Sequence, residues 1–199
     1  MRSFKIARLL LLVLVLLGSS GNLLADDVVN LGIPDRAWDS TRPDPGVGWC
    51  AEACIQMAMA YYGREVPQHV INRVGDPDHA DLYAYEIDDV LDALGVTYRK
   101  GNESDQDASE FMAWVRGEIE QGHPVMCGIK IYPDEHPEWS LDHFVLFVGF
   151  GNGRFLVNTQ LDFDGQQWIS AQQLSSMDAG YSLENSHKRY FGRGITGVR

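Results

Sequence analysis

The chain has 199 residues, enough for one domain with a proper core. It holds 28 acidic against 16 basic residues, a formal net charge of −12, which argues against nucleic acid and anionic membrane surfaces as partners. The three cysteines, Cys50, Cys54 and Cys127, leave at least one thiol unpaired within a monomer. Cys54 and Cys127 pairing, with Cys50 free, and all three reduced are both open.

At the N-terminus, Arg2, Lys5 and Arg8 precede an unbroken Leu and Val run from Leu9 to Leu17. Small residues follow from Gly18 to Gly21, and Ala25 stands before Asp26 and Asp27. This is the order of a secretory signal peptide, and the run is short for a membrane span. Residues 1–25 are therefore expected to be removed, leaving residues 26–199 as a single exported domain. The expected location is secreted or periplasmic, with no membrane segment after cleavage.

Residues 26–48 are broken by Pro34, Pro43, Pro45, Gly46 and Gly48 and read as irregular. Trp49 to Tyr62, rich in Ala and Met and stopped by Gly63, predicts a helix that is apolar almost all round and therefore buried. Only Glu52 and Gln56 form a polar stripe on it. Pro67 to Val74 is a short helix. Tyr85 to Leu94 is another, with Ile87, Val90, Leu91 and Leu94 on one face. Val96 to Arg99 reads as a strand. Asp107 or Ser109 caps the next helix, which buries Phe111, Met112, Val115 and Ile119 and turns Arg116, Glu118 and Glu120 to solvent.

Pro124 to Ile131 and His143 to Phe150 are apolar on both faces and read as central strands. Asn152-Gly153 is a hairpin signal, and Phe155 to Gln160 is the return strand. A strand at Trp168 and Ile169, a short helix from Ser170 to Ser175 and a last strand within Tyr190 to Val198 complete the chain. Helices followed by an antiparallel sheet give an α+β fold.

Two residues carry the candidate chemistry. Cys50 lies in the first turn of the central helix, where unpaired N–H groups and the helix dipole favour an anion. That placement is expected to lower the thiol pKa and to offer oxyanion donors. His143 opens an otherwise apolar strand, where it can serve as the base of a thiolate–imidazolium pair. Cys50, Cys54, Asp142 and His143 could in principle ligate zinc, but packing already explains both cysteines on their helix. No metal or cofactor is expected.

These pieces resemble the papain-like peptidases of the bacteriocin-leader-processing type and their secreted single-domain relatives. Cys50-Ala51-Glu52-Ala53-Cys54, running to Tyr61-Tyr62-Gly63, is similar to that family's nucleophile helix. Tyr85 to Val96 resembles its next helix, Gly122-His123-Pro124-Val125 its strand entry, and His143-Phe144-Val145-Leu146 through Asn158 its histidine strand and return strand. The resemblance spans residues 45–160. It implies a papain-like fold, a central helix packed on an antiparallel sheet, and thiol hydrolysis of peptide or amide bonds, with Cys50 as nucleophile and His143 as base.

Two positions depart from the pattern. Asp44 stands where the family carries a Gln that donates to the oxyanion, and Thr159 stands where it carries the Asp that orients the histidine.

The hairpin register bears on the third residue. A two-residue turn pairs Gly151 with Arg154. Carried down the hairpin, it sets Phe147 opposite Asn158, Val145 opposite Gln160 and His143 opposite Asp162, with Thr159 on the other face. Asn158 is the expected orienting residue, with Asp162 and Thr159 as alternatives. The expected function is an exported cysteine hydrolase acting on a peptide or protein substrate. The alternatives are a side-chain amidase or deamidase of the same fold and a papain-fold binding module without turnover.

Overall fold

The computed structural model describes residues 28–39, 48–101, 107–161 and 165–199. The expected signal peptide, Asp44 and Asp162 lie outside the described residues. The elements are β1 Val29–Asn30, α1 Cys50–Tyr61, α2 Gln68–Asn72, α3 Ile87–Ala93, β2 Val96–Lys100, α4 Ala108–Glu120, β3 Val125–Ile129, β4 His143–Gly151, β5 Arg154–Asn158, β6 Gln166–Ser170, α5 Ala171–Leu174 and β7 Gly192–Val198. The strands form one antiparallel sheet in the order β2-β7-β3-β4-β5-β6, with β1 added on β4. Among the described residues no helix is long and apolar enough to cross a membrane.

The sheet is covered on both faces, which explains why β3, and β4 beyond His143, are apolar throughout. Phe144, Leu146 and Val148 join Cys54, Ile55, Met57 and Ala58 of α1 in one core. Val145 and Phe147 join Phe111, Val115 and Ile119 of α4 in the other. From Phe144 to Val148 successive β4 side chains thus alternate between two cores, so both faces of this stretch call for apolar residues. Cys54 and Cys127 fall in opposite cores, and all three cysteines are free thiols.

Helix α4 is capped as expected, Asp107 accepting from the backbone N–H of Ser109 at 2.7 Å. Glu118 departs from expectation. It is buried rather than solvent-facing, because His123 at 2.8 Å and Arg99 at 3.3 Å meet its carboxylate.

The hairpin turn has Asn152 at φ 52° and Gly153 at φ 69°, the two-residue form in which both residues are left-handed. Its register begins as predicted, with Gly151 opposite Arg154 and Gly149 opposite Leu156. It then shifts between Phe147 and Gly149, so that Phe147 faces Val157 and Leu146 faces Asn158. Val148 is the extra residue of a β-bulge. The parity drawn from an unbroken hairpin is therefore reversed at the end of β4 that carries His143.

Candidate active site

The N-terminus of α1 is set by Trp49, whose indole N–H donates to the Ala80 carbonyl at 2.9 Å. Cys50 follows in the first turn and keeps part of its surface accessible. The backbone N–H groups of Phe144 and Ala51 favour a negative charge on its sulfur, which places the residue after His143 at the thiol. The expectation of a depressed thiol pKa is overturned. Burial pushes Cys50 up to about 12, the negative charges of Glu52 and Asp81 add to this, and the two N–H groups pull back only in part.

His143 is 2% exposed, with the Trp38 ring edge-on to it at 5.7 Å between centroids. Its Nε2 lies 2.9 Å from the Thr159 backbone carbonyl. A carbonyl only accepts, so Nε2 carries the proton, and the neutral ring keeps its lone pair on Nδ1. Burial holds the ring below its ordinary pKa, against the opposing pull of the Thr159 carbonyl and Asp142. With the thiol pushed up and the imidazole pushed down, both groups rest uncharged near neutral pH.

The orienting contact is not the one expected of Asn158. The bulge sets Asn158 opposite Leu146, whose side chain belongs to the α1-side core. Its Nδ2 donates to the Ile33 carbonyl at 3.1 Å and approaches the Met57 sulfur at 3.3 Å, while its Oδ1 accepts from Gln166 at 2.7 Å. Thr159 meets His143 instead, through its backbone; its own hydroxyl donates to the Gly165 carbonyl at 2.7 Å. Among the described residues no group of three or more His, Cys, Asp or Glu is placed to hold a metal ion.

A segment that sequence reasoning passed over as irregular closes the site. The Leu31 N–H donates to the carbonyl of the bulge residue Val148 at 2.9 Å, and the Ile33 carbonyl accepts from Gln166 as well as Asn158. Gly48 admits the Trp38 ring, since a Cβ there would lie 2.5 Å from it. The signal in the sequence was Trp38 itself, a large aromatic in a stretch otherwise free of pattern. A cleft of about 320 Å³ is lined by Ala84, Tyr85, Asp88, Leu141, Phe191 and Arg193, and neither Cys50 nor His143 is part of its wall.

The family model described as Peptidase_C39 like family matches residues 31–184. The chain belongs to this family. The peptidase domain of Streptococcus ComA, a bi-functional ABC transporter involved in a quorum sensing pathway, superposes on this C39-like chain with a TM-score of 0.57 at 12% identity. That match covers 83% of this chain and 98% of the other. A protein described as a C39-like peptidase from Bacillus anthracis superposes with a TM-score of 0.57 at 10% identity, covering 87% and 100%. No curated protein matches the chain. The fold is thus the papain-like one of C39 peptidase domains, an α+β arrangement with α1 against an antiparallel sheet.

Proposed function

We propose that this C39-like chain is an exported thiol hydrolase that cleaves a peptide or amide bond, with Cys50 as nucleophile and His143 as base. The observation that carries the reading is the 2.9 Å contact from His143 Nε2 to the Thr159 carbonyl, made beside a sulfur that meets the Phe144 N–H. It leaves the lone pair of the buried ring on Nδ1, and the thiol lies at the N–H of the next residue, Phe144. Because both groups rest neutral, the proton leaves Sγ for Nδ1 as the sulfur attacks the substrate carbonyl, rather than beforehand. The backbone N–H groups at the start of α1 face the oxyanion that forms. The imidazolium then returns its proton to the leaving amine, and water hydrolyses the thioester. The order of residues 1–25 supports export.

A second reading, a papain-fold binding module without turnover, is favoured by one feature: a neutral carbonyl, not a carboxylate, contacts the ring. Mass spectrometry after treatment with a peptide-based thiol-reactive probe decides between them. The hydrolase labels at Cys50, and His143→Ala slows this by about 10²-fold or more. Labelling that Cys50→Ala leaves intact, or that His143→Ala does not slow, overturns the proposal.

A further inference from the structure

We infer that Asp35 is a positioning residue for His143, acting through the Thr159–Gln160 peptide bond. The inference rests on the reading of Cys50 and His143 as a catalytic pair. The carbonyl of that peptide accepts from His143 Nε2 at 2.9 Å. The N–H of the same peptide, on Gln160, donates to Asp35 Oδ1 at 3.1 Å. A carboxylate drawing on the N–H of an amide adds electron density to its oxygen, and that strengthens the bond the oxygen accepts. Asp35, the peptide and the imidazole thus form one chain. A negative charge reaches the ring across one peptide unit, at the place where Thr159 supplies none from its side chain.

The backbone is bent to make this possible. Gln160 has φ 60°, the left-handed region that a residue with a Cβ adopts at a cost and holds only where its surroundings over-determine it. Those surroundings are specific. Gln160 is fully buried, and its Nε2 donates to the Asn158 carbonyl at 2.8 Å and to the Cys54 sulfur at 3.1 Å. Its own carbonyl accepts from the Trp38 N–H at 3.4 Å. The turn aims the carbonyl of one peptide at the imidazole and its N–H at Asp35.

The segment that brings Asp35 there is tied down on both sides. Arg36 forms a two-pronged pair with Glu65 at 2.8 and 2.7 Å. Gln68 donates to the Ala37 carbonyl at 3.0 Å and accepts from the Asp39 N–H at 2.8 Å. Burial raises the Asp35 pKa, while the N–H groups of Gln160 and Arg36 pull it back. Among the described residues, Asp142, itself paired with Lys130 at 3.2 Å, is the charged group that acts on His143, and the Cys50 thiol lies at the N–H of the next residue, Phe144.

The test reads the ring directly, by ¹⁵N NMR of His143 across pH in wild type, Asp35→Ala and Asp35→Asn, alongside the rate of Cys50 labelling. Wild type should show the Nε2–H tautomer. Asp35→Ala should lose that fixed tautomer, titrate its imidazole at lower pH and label about tenfold more slowly. Asp35→Asn keeps an acceptor without the charge. It should keep the tautomer but still titrate lower, a split that a purely structural role does not produce. A folded Asp35→Ala protein with wild-type tautomer and titration overturns the inference. Should that variant not fold, an unchanged titration in Asp35→Asn overturns it equally. Failure of wild type to label at Cys50 overturns the hydrolase reading alone, since tautomer and titration still decide the role of Asp35.

Discussion

Glu52 lies two residues after the candidate nucleophile and has no solvent-exposed surface. Its Oε1 accepts from Asn72 at 2.8 Å and from the Leu82 N–H at 3.2 Å, but Oε2 has no partner among the described residues. Burial pushes its pKa from the ordinary 4.5 to about 7, against the pull of Asn72 and Leu82. The sign follows from linkage. Between these two values the folded protein holds a proton that the unfolded chain has lost, so stability falls as pH rises through this window. The interval corresponds to roughly 3 kcal/mol.

Glu52→Gln mimics the protonated side chain in shape and carries no charge. It should therefore match wild type at about pH 5 and exceed its stability by about 2–3 kcal/mol at about pH 8. Urea unfolding at several pH values, with the slope checked for constancy, measures this. A stability difference that does not change between the two pH values, or a wild type that is the more stable at the higher one, refutes the reasoning. The same substitution removes a charge that raises the Cys50 pKa and should speed thiol alkylation at a given pH.

With the Cys50 thiol raised, its alkylation by a small reagent should keep accelerating from about pH 7 to about pH 10. A plateau reached by about pH 5 would mean a preformed thiolate instead. Cys54→Ala should leave Cys50 labelling in place and cost about 1 kcal/mol in urea unfolding, since Cys54 is buried core with a Gln160 amide on its sulfur. Gly149→Ala should cost about 1–3 kcal/mol, because its Cβ would lie 2.5 Å from the Val29 carbonyl oxygen and 3.2 Å from the Leu156 Cβ. A wild-type unfolding midpoint would show that β1 can give way there.

The elements were legible where a period or a cap was strong. The apolar stripe of α4 with its Asp107 cap, the all-round apolar α1 and the Asn152-Gly153 turn all stand in the structure as the sequence pattern implied. Cys50 and His143 stood out because each is a reactive group at the end of an apolar element, and α1 packs on β4 so that the residue after His143 meets the thiol. The bulge was hidden because Val148 is apolar among apolar neighbours, and a strand buried on both faces does not betray its parity. The orienting contact was hidden because it is a backbone carbonyl, which no residue type advertises. Glu118 was misplaced because its partners Arg99 and His123 come from outside the helix. Asp35 was missed because its partner is an amide 125 positions away.

The bulge gives β4 two phases. Up to and including it, the even-numbered Phe144, Leu146 and Val148 pack towards α1; after it, Phe150, also even, packs towards α4. One inserted residue thus lets the turn and the His143 end obey different alternations within a single strand. Removing it would rotate one end against the other by half a strand repeat, while Cys50, His143 and Thr159 all stayed in the sequence. A relative with every reactive residue type conserved and β4 one residue shorter would hold a dismantled site. Strand length is therefore as much a part of this chemistry as the side chains are, and an alignment that closes a one-residue gap here erases the difference.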